Sequence, residues 1–110
     1  MRKSVNTSYG GIEVISLIEA DIPKVANNEV LVKVKAAGLN PKDIMVRKGK
    51  FKLFTGRKMP QAIGFDFAGT IEDADHQHHH HDYQKGDKVF GMLNGWRGGC
   101  CADYINVSVN

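Results

Sequence analysis

With 110 residues, 42% of them hydrophobic and 25% charged, the chain has the size and balance of one globular domain, which excludes wholesale disorder. A formal net charge of +3 is too small to argue for a nucleic-acid surface, and no apolar run approaches the ~20 residues that span a bilayer. Adjacent Cys100 and Cys101 do not make a secreted disulfide scaffold, and the polar start MRKSVNTSYGG does not read as a signal peptide, so a cytoplasmic protein with no membrane or nucleic-acid partner is expected.

The pattern along the chain is mostly β. Val14 to Ile18 is a short apolar run that follows Gly10-Gly11 and is closed by Pro23, and it predicts a strand. Glu29 to Ala37 is the clearest strand: Val30, Val32, Val34 and Ala36 share one face, while Lys33 and Lys35 take the other. Asn40-Pro41-Lys42-Asp43 then has the marks of a helix start. Asn40 suits the N-cap, Pro41 the first helical position, and Asp43 the positive end of the helix dipole. Ile44, Met45 and Val46 continue the helix for about two turns, and Gly49 can end it.

Phe51 to Gln61 reads as an irregular basic loop, and the clearest basic stretch of the chain runs from Arg47 to Lys58. Phe65 to Glu72 reads as a strand whose internal Gly69 marks a bulge, a bend or a close backbone approach. Asp73 to Asp82 is a polar, histidine-rich loop. His78, His79, His80 and His81, with His76, could take up a transition metal weakly, but a loop offers no fixed ligand geometry and a solvated segment is expected. Lys85-Gly86-Asp87 is a turn, Lys88 to Met92 a strand, Asn94 to Gly99 a glycine-rich turn at the surface, and Cys101 to Val107 a last strand. Short strands, one or two short helices and glycine turns predict a mainly β, barrel-like domain. There is no alternation of strands with long helices and no G-x-G-x-x-G turn, so a doubly wound nucleotide-binding domain is not expected in this sequence.

Four segments in fixed order, EVLVKVKAAGLNPKD, IGFDFAGTIE, KGDKVFG and GGCCADY, resemble the N-terminal catalytic domain of the medium-chain dehydrogenase/reductase superfamily. The resemblance implies a GroES-like distorted β-barrel over residues 1–110. It also implies that a separate Rossmann domain, absent from this sequence, carries most contacts to the nucleotide. Zinc-dependent relatives place a cysteine where this chain has Asn40 and a His-Glu pair at Phe65-Asp66. Asn40 and Phe65 supply no soft zinc ligand, so the sequence is similar to the zinc-free quinone oxidoreductase branch.

That branch implies hydride transfer from NADPH or NADH to a quinone or enone, with no cofactor expected for this chain alone. By resemblance, Asn40 and Asp43 are the catalytic candidates, and Asn40 and Arg47 face the cofactor. Met45, Phe65 and Asp66 line the substrate pocket, Met45 standing where many relatives carry tyrosine. Asp66 is expected to hold Arg47 or nearby backbone. Cys100 and Cys101 are expected to be small buried residues, not nucleophiles. Two other readings are a stand-alone GroES-like binding module, with self-association through an uncovered cleft face, and a metal-binding histidine loop.

Overall fold

The computed structural model describes residues 1–74 and 83–109. The histidine run lies outside the described residues. Seven strands are described, in two antiparallel sheets: β1 (Arg2–Asn6), β2 (Ile15–Glu19), β3 (Glu29–Gly38), β4 (Gln61–Ala62), β5 (Asp66–Ala74), β6 (Lys88–Met92) and β7 (Tyr104–Ser108). Two short helices, α1 (Pro41–Arg47) and α2 (Lys52–Thr55), lie between β3 and β4.

The larger sheet runs β6-β5-β3-β7 and carries the core. Val30 and Val32 of β3, Phe67 and Ile71 of β5, and Ile105 of β7 are buried together with Cys100. Each such side chain contributes about 1.5–3 kcal/mol by leaving water. Val30, Val32 and Val34 turn to the core as expected, but Leu31 between them is buried as well. Bulges between Leu31 and Val32 and between Val34 and Ala36 shift the register against β5, and Ala36 is exposed rather than facing the core. Gly69 shows why β5 needs a glycine here: a Cβ on it would lie 2.1 Å from the Lys33 carbonyl oxygen of the adjacent strand.

The smaller sheet runs β2-β1-β4. Its central strand, β1, was not expected from the sequence, because RKSVN has only Val5 as an apolar anchor. The strand exists through its partners: Arg2 to Asn6 pair with Glu19 to Ile15, and Val5 and Asn6 pair with Ala62 and Gln61. The two sheets meet where Ser4 N–H donates to the Cys101 carbonyl (2.9 Å) and Asp103 N–H donates to the Arg2 carbonyl (3.0 Å). Asp103 also accepts from the Arg2 backbone N–H at 2.7 Å and pairs with its guanidinium at 3.3 Å. These two contacts, the backbone bond first, lower the carboxyl pKa. The barrel is thus joined by a few bridging bonds and not by one continuous ladder.

The second helix, α2, corrects the reading of Phe51 to Gln61 as wholly irregular. Tyr9 fixes this turn from the side: its hydroxyl hydrogen-bonds the Thr55 hydroxyl at 2.5 Å and donates to the Gly56 carbonyl.

Candidate active site at the start of helix α1

Helix α1 leaves the end of β3, where Gly38 pairs with Asp66 of β5. This pairing sets the first residues of the helix against an acidic side chain 26 positions away in sequence. Asn40 takes the N-cap position with an extended backbone, and it forms a capping box with Asp43. Asp43 Oδ2 accepts the Asn40 backbone N–H at 2.8 Å, and Oδ1 accepts the Gly64 N–H at 3.1 Å. One carboxylate therefore fixes the helix start to the segment entering β5.

The Asn40 side chain is held separately. Its Nδ2 donates to Asp66 Oδ2 at 2.6 Å. A carboxylate only accepts, so this bond settles which end of the amide is nitrogen. One N–H of Asn40 remains for a ligand, and its amide oxygen, engaged in the capping box, keeps a second lone pair. Asp66 holds Asn40 here, and not Arg47 as one reading of the sequence had it. Arg47 instead closes a reciprocal pair with Gly10: its Nε donates to the Gly10 carbonyl at 3.3 Å, and Gly10 N–H donates to the Arg47 carbonyl at 2.9 Å.

Asn40, Asp43 and Arg47 border a common groove of ≈ 460 Å³. Ile12, Ile15, Leu39, Pro41, Ile44 and Ile63 supply its apolar walls, and Asn6 lies in its lining. That size and mix suit a small organic ligand. Met45, Phe65 and Asp66, expected to line the substrate pocket, do not line this groove; Asp66 stands behind Asn40. Met45 sits on the exposed side of α1, whereas Phe65 is buried beneath Lys42.

Behind the helix start, Gly64 has φ +94°, and a Cβ there would stand 2.9 Å from Cys101 Sγ and 3.0 Å from the Cys101 backbone nitrogen. Its carbonyl accepts from the N–H groups of Gly99 and Cys100. Burial first, then Cys101, Asp66 and Asp43, push the Cys100 thiol pKa up to about 12. Burial and then Asp43 also raise that of Cys101. Both thiols are therefore protonated at neutral pH and poor nucleophiles.

Sequence reasoning missed the contact between α1 and the Asn94–Gly99 turn. Lys42 Nζ donates to the Gly95 carbonyl at 2.6 Å, 3.9 Å from the Phe65 ring centre and 4.9 Å from that of Trp96. Trp96 in turn stacks on Phe54 at 5.0 Å and tilts against Phe51 at 4.6 Å. The turn is clamped rather than a free surface loop. The three-residue spacing of Phe51 and Phe54, which puts both rings on one side of a helical turn, is the signal that could have revealed it.

A mainly β domain with an amide-bearing helix start beside an apolar groove is the architecture expected of a GroES-like catalytic domain. The chain belongs to the alcohol dehydrogenase GroES-like domain family, whose profile matches residues 26–110. It is 34% identical over 101 residues to the chloroplastic quinone-oxidoreductase homolog of Spinacia oleracea, covering 92% of this chain and 30% of that protein. It is 38% identical over 96 residues to the chloroplastic NADPH-dependent alkenal/one oxidoreductase of Arabidopsis thaliana, covering 86% of this chain and 24% of that one. The chain thus spans less than a third of the length of either relative. Among solved structures, the quinone oxidoreductase from Coxiella burnetii superposes with a TM-score of 0.85 at 29% identity, over 99% of this chain and 35% of that chain. The human synaptic vesicle membrane protein VAT-1 homolog-like protein superposes at 0.86 and 29%, over 99% and 32%.

Proposed function

We propose that this chain is the catalytic-domain portion of an NAD(P)H-dependent oxidoreductase that reduces a quinone or enone by zinc-independent hydride transfer. The observation that carries the reading is the Asn40 amide, fixed by Asp66 at the edge of an apolar groove. An oriented amide offers one donor and one acceptor, which fits the carboxamide of a nicotinamide or the oxygen of a carbonyl acceptor. Bound NAD(P)H would supply the hydride.

The residues of this chain do the positioning. Asp66 keeps the Asn40 amide from turning, and Asp43 fixes the backbone that carries it. The aliphatic walls keep water from the acceptor and favour an apolar ring or alkene. Asn40 and the buried Phe65 offer no soft ligand where zinc-dependent relatives bind their metal, which supports the zinc-independent reading. The names of the plant relatives support the substrate class.

The test is oxidation of NADPH by the native gene product with naphthoquinone as acceptor, with and without EDTA. Turnover unaffected by the chelator is expected, and Asn40→Ala lowers it at least about tenfold. Activity that disappears with EDTA and returns with zinc ends the proposal.

Self-association is a second reading, favoured by the edge strand β6, where Phe90 is 87% and Met92 65% exposed. A strict monomer in sedimentation at high protein concentration would remove it.

A further inference from the structure

The small net charge of the chain conceals a strong local one. Six of its 15 Lys and Arg residues fall between positions 47 and 58, a stretch that holds none of its 12 Asp and Glu. Arg47 turns inward to Gly10, but Lys48, Lys50, Lys52, Arg57 and Lys58 are all exposed. None of these five is in an ion pair with a described residue. From the middle of the same stretch, α2 presents Leu53 at 97% exposure and Phe54 at 65%. No other large apolar side chain among the described residues is as exposed as Leu53. The turn is held in shape from behind. The Tyr9 hydroxyl donates to the Gly56 carbonyl, Gln61 Nε2 donates to the Thr55 carbonyl at 3.0 Å, and Phe54 stacks on Trp96.

The two properties together select the partner. Cations with no acid among them attract a polyanionic surface. An aliphatic side chain that stands off the surface gains only where an apolar layer lies beneath those charges. A bilayer with anionic headgroups has both, and it needs no pocket complementary in shape. A nucleic-acid backbone supplies the charge and nothing for Leu53. We propose that the 47–58 turn is a peripheral docking surface for an anionic membrane. Leu53 and Phe54 enter the interfacial layer, and the five exposed cations lie among the lipid phosphates. No described helix is long and apolar enough to cross a membrane, and a contact of this kind needs none. The surface is independent of the groove at Asn40.

The experiment is co-sedimentation of the 110-residue chain with vesicles of pure phosphatidylcholine and with vesicles of equal parts phosphatidylcholine and phosphatidylserine. At least about tenfold stronger partitioning onto the anionic vesicles is expected, falling as salt is raised. Lys50→Gln combined with Lys52→Gln weakens it about twentyfold. Lys33→Gln combined with Lys35→Gln removes the same charge from exposed positions of β3 and leaves most of the binding in place. Leu53→Ser weakens it about fivefold without changing the salt dependence. If a variant does not fold, the two vesicle types compared on the unsubstituted chain decide. Equal partitioning onto both vesicle types, or an equal loss from the two lysine pairs, overturns the proposal. Binding that Leu53→Ser leaves unchanged is attraction to any polyanion, which equal affinity for a single-stranded oligonucleotide would show, and overturns it too.

Discussion

The larger sheet and the start of α1 are organised on different principles. In β6-β5-β3-β7, position is set by burial: Val30, Val32, Phe67 and Ile71 pack as alternating residues of long strands. At the start of α1, position is set by single polar bonds, such as Asn40 to Asp66 and Asp43 to Gly64. The first arrangement tolerates exchange among residues of similar volume. The second depends on the identity of each group, which is the property a binding site requires.

Substitutions can break this contrast. The largest effect is expected for Gly69→Ala in the larger sheet, where the added Cβ would collide with the Lys33 carbonyl. A loss above about 4 kcal/mol, seen as failure to fold or a collapse of the urea midpoint, is the expected outcome. Ile71→Ala, at 1% exposure, follows with about 2–5 kcal/mol by the same denaturation measurement. Asp43→Ala removes the acceptor of two backbone N–H groups and should cost about 2 kcal/mol. That variant sharpens the comparison, because the NMR signals of Gly64 and Asn40 should move while those of β3 and β7 stay in place.

The smallest effect at neutral pH is that of Cys100. Its thiol titrates from 9.0 when unfolded to about 12 in the folded chain, so only the unfolded state loses its proton within that interval. Its contribution is complete below pH 9 and is lost as pH rises toward about 12. Cys100→Ala should flatten the fall of stability across that window in urea titrations run at several alkaline pH values.

Local pattern revealed the elements that carry their own signal. The alternation of Val30, Val32 and Val34, and the Asn40-Pro41-x-Asp43 start, give β3 and α1 with ends close to those observed. Gly69 inside an apolar strand announced the close backbone approach that the structure shows. Strand β1 was invisible because its order comes from pairing with distant residues, as in Val5 opposite Ala62, 57 positions away. The burial of Asn6 follows from that pairing and was hidden with it. The site was legible in part. Asn40, Asp43 and Arg47 converge on one groove, whereas Met45, Phe65 and Asp66 are not among its lining residues. The partner of Asp66 depends on β3–β5 register, and sequence spacing carries no information on that register.

Trp96 is the sole tryptophan of the chain, and it lies between Lys42 and the rings of Phe51 and Phe54. Its fluorescence is therefore an intrinsic optical gauge of one event, the docking of the 94–99 turn onto the helix that bears Asn40. Emission wavelength and quencher access then follow this part of the molecule directly, without a label and without interference from a second indole.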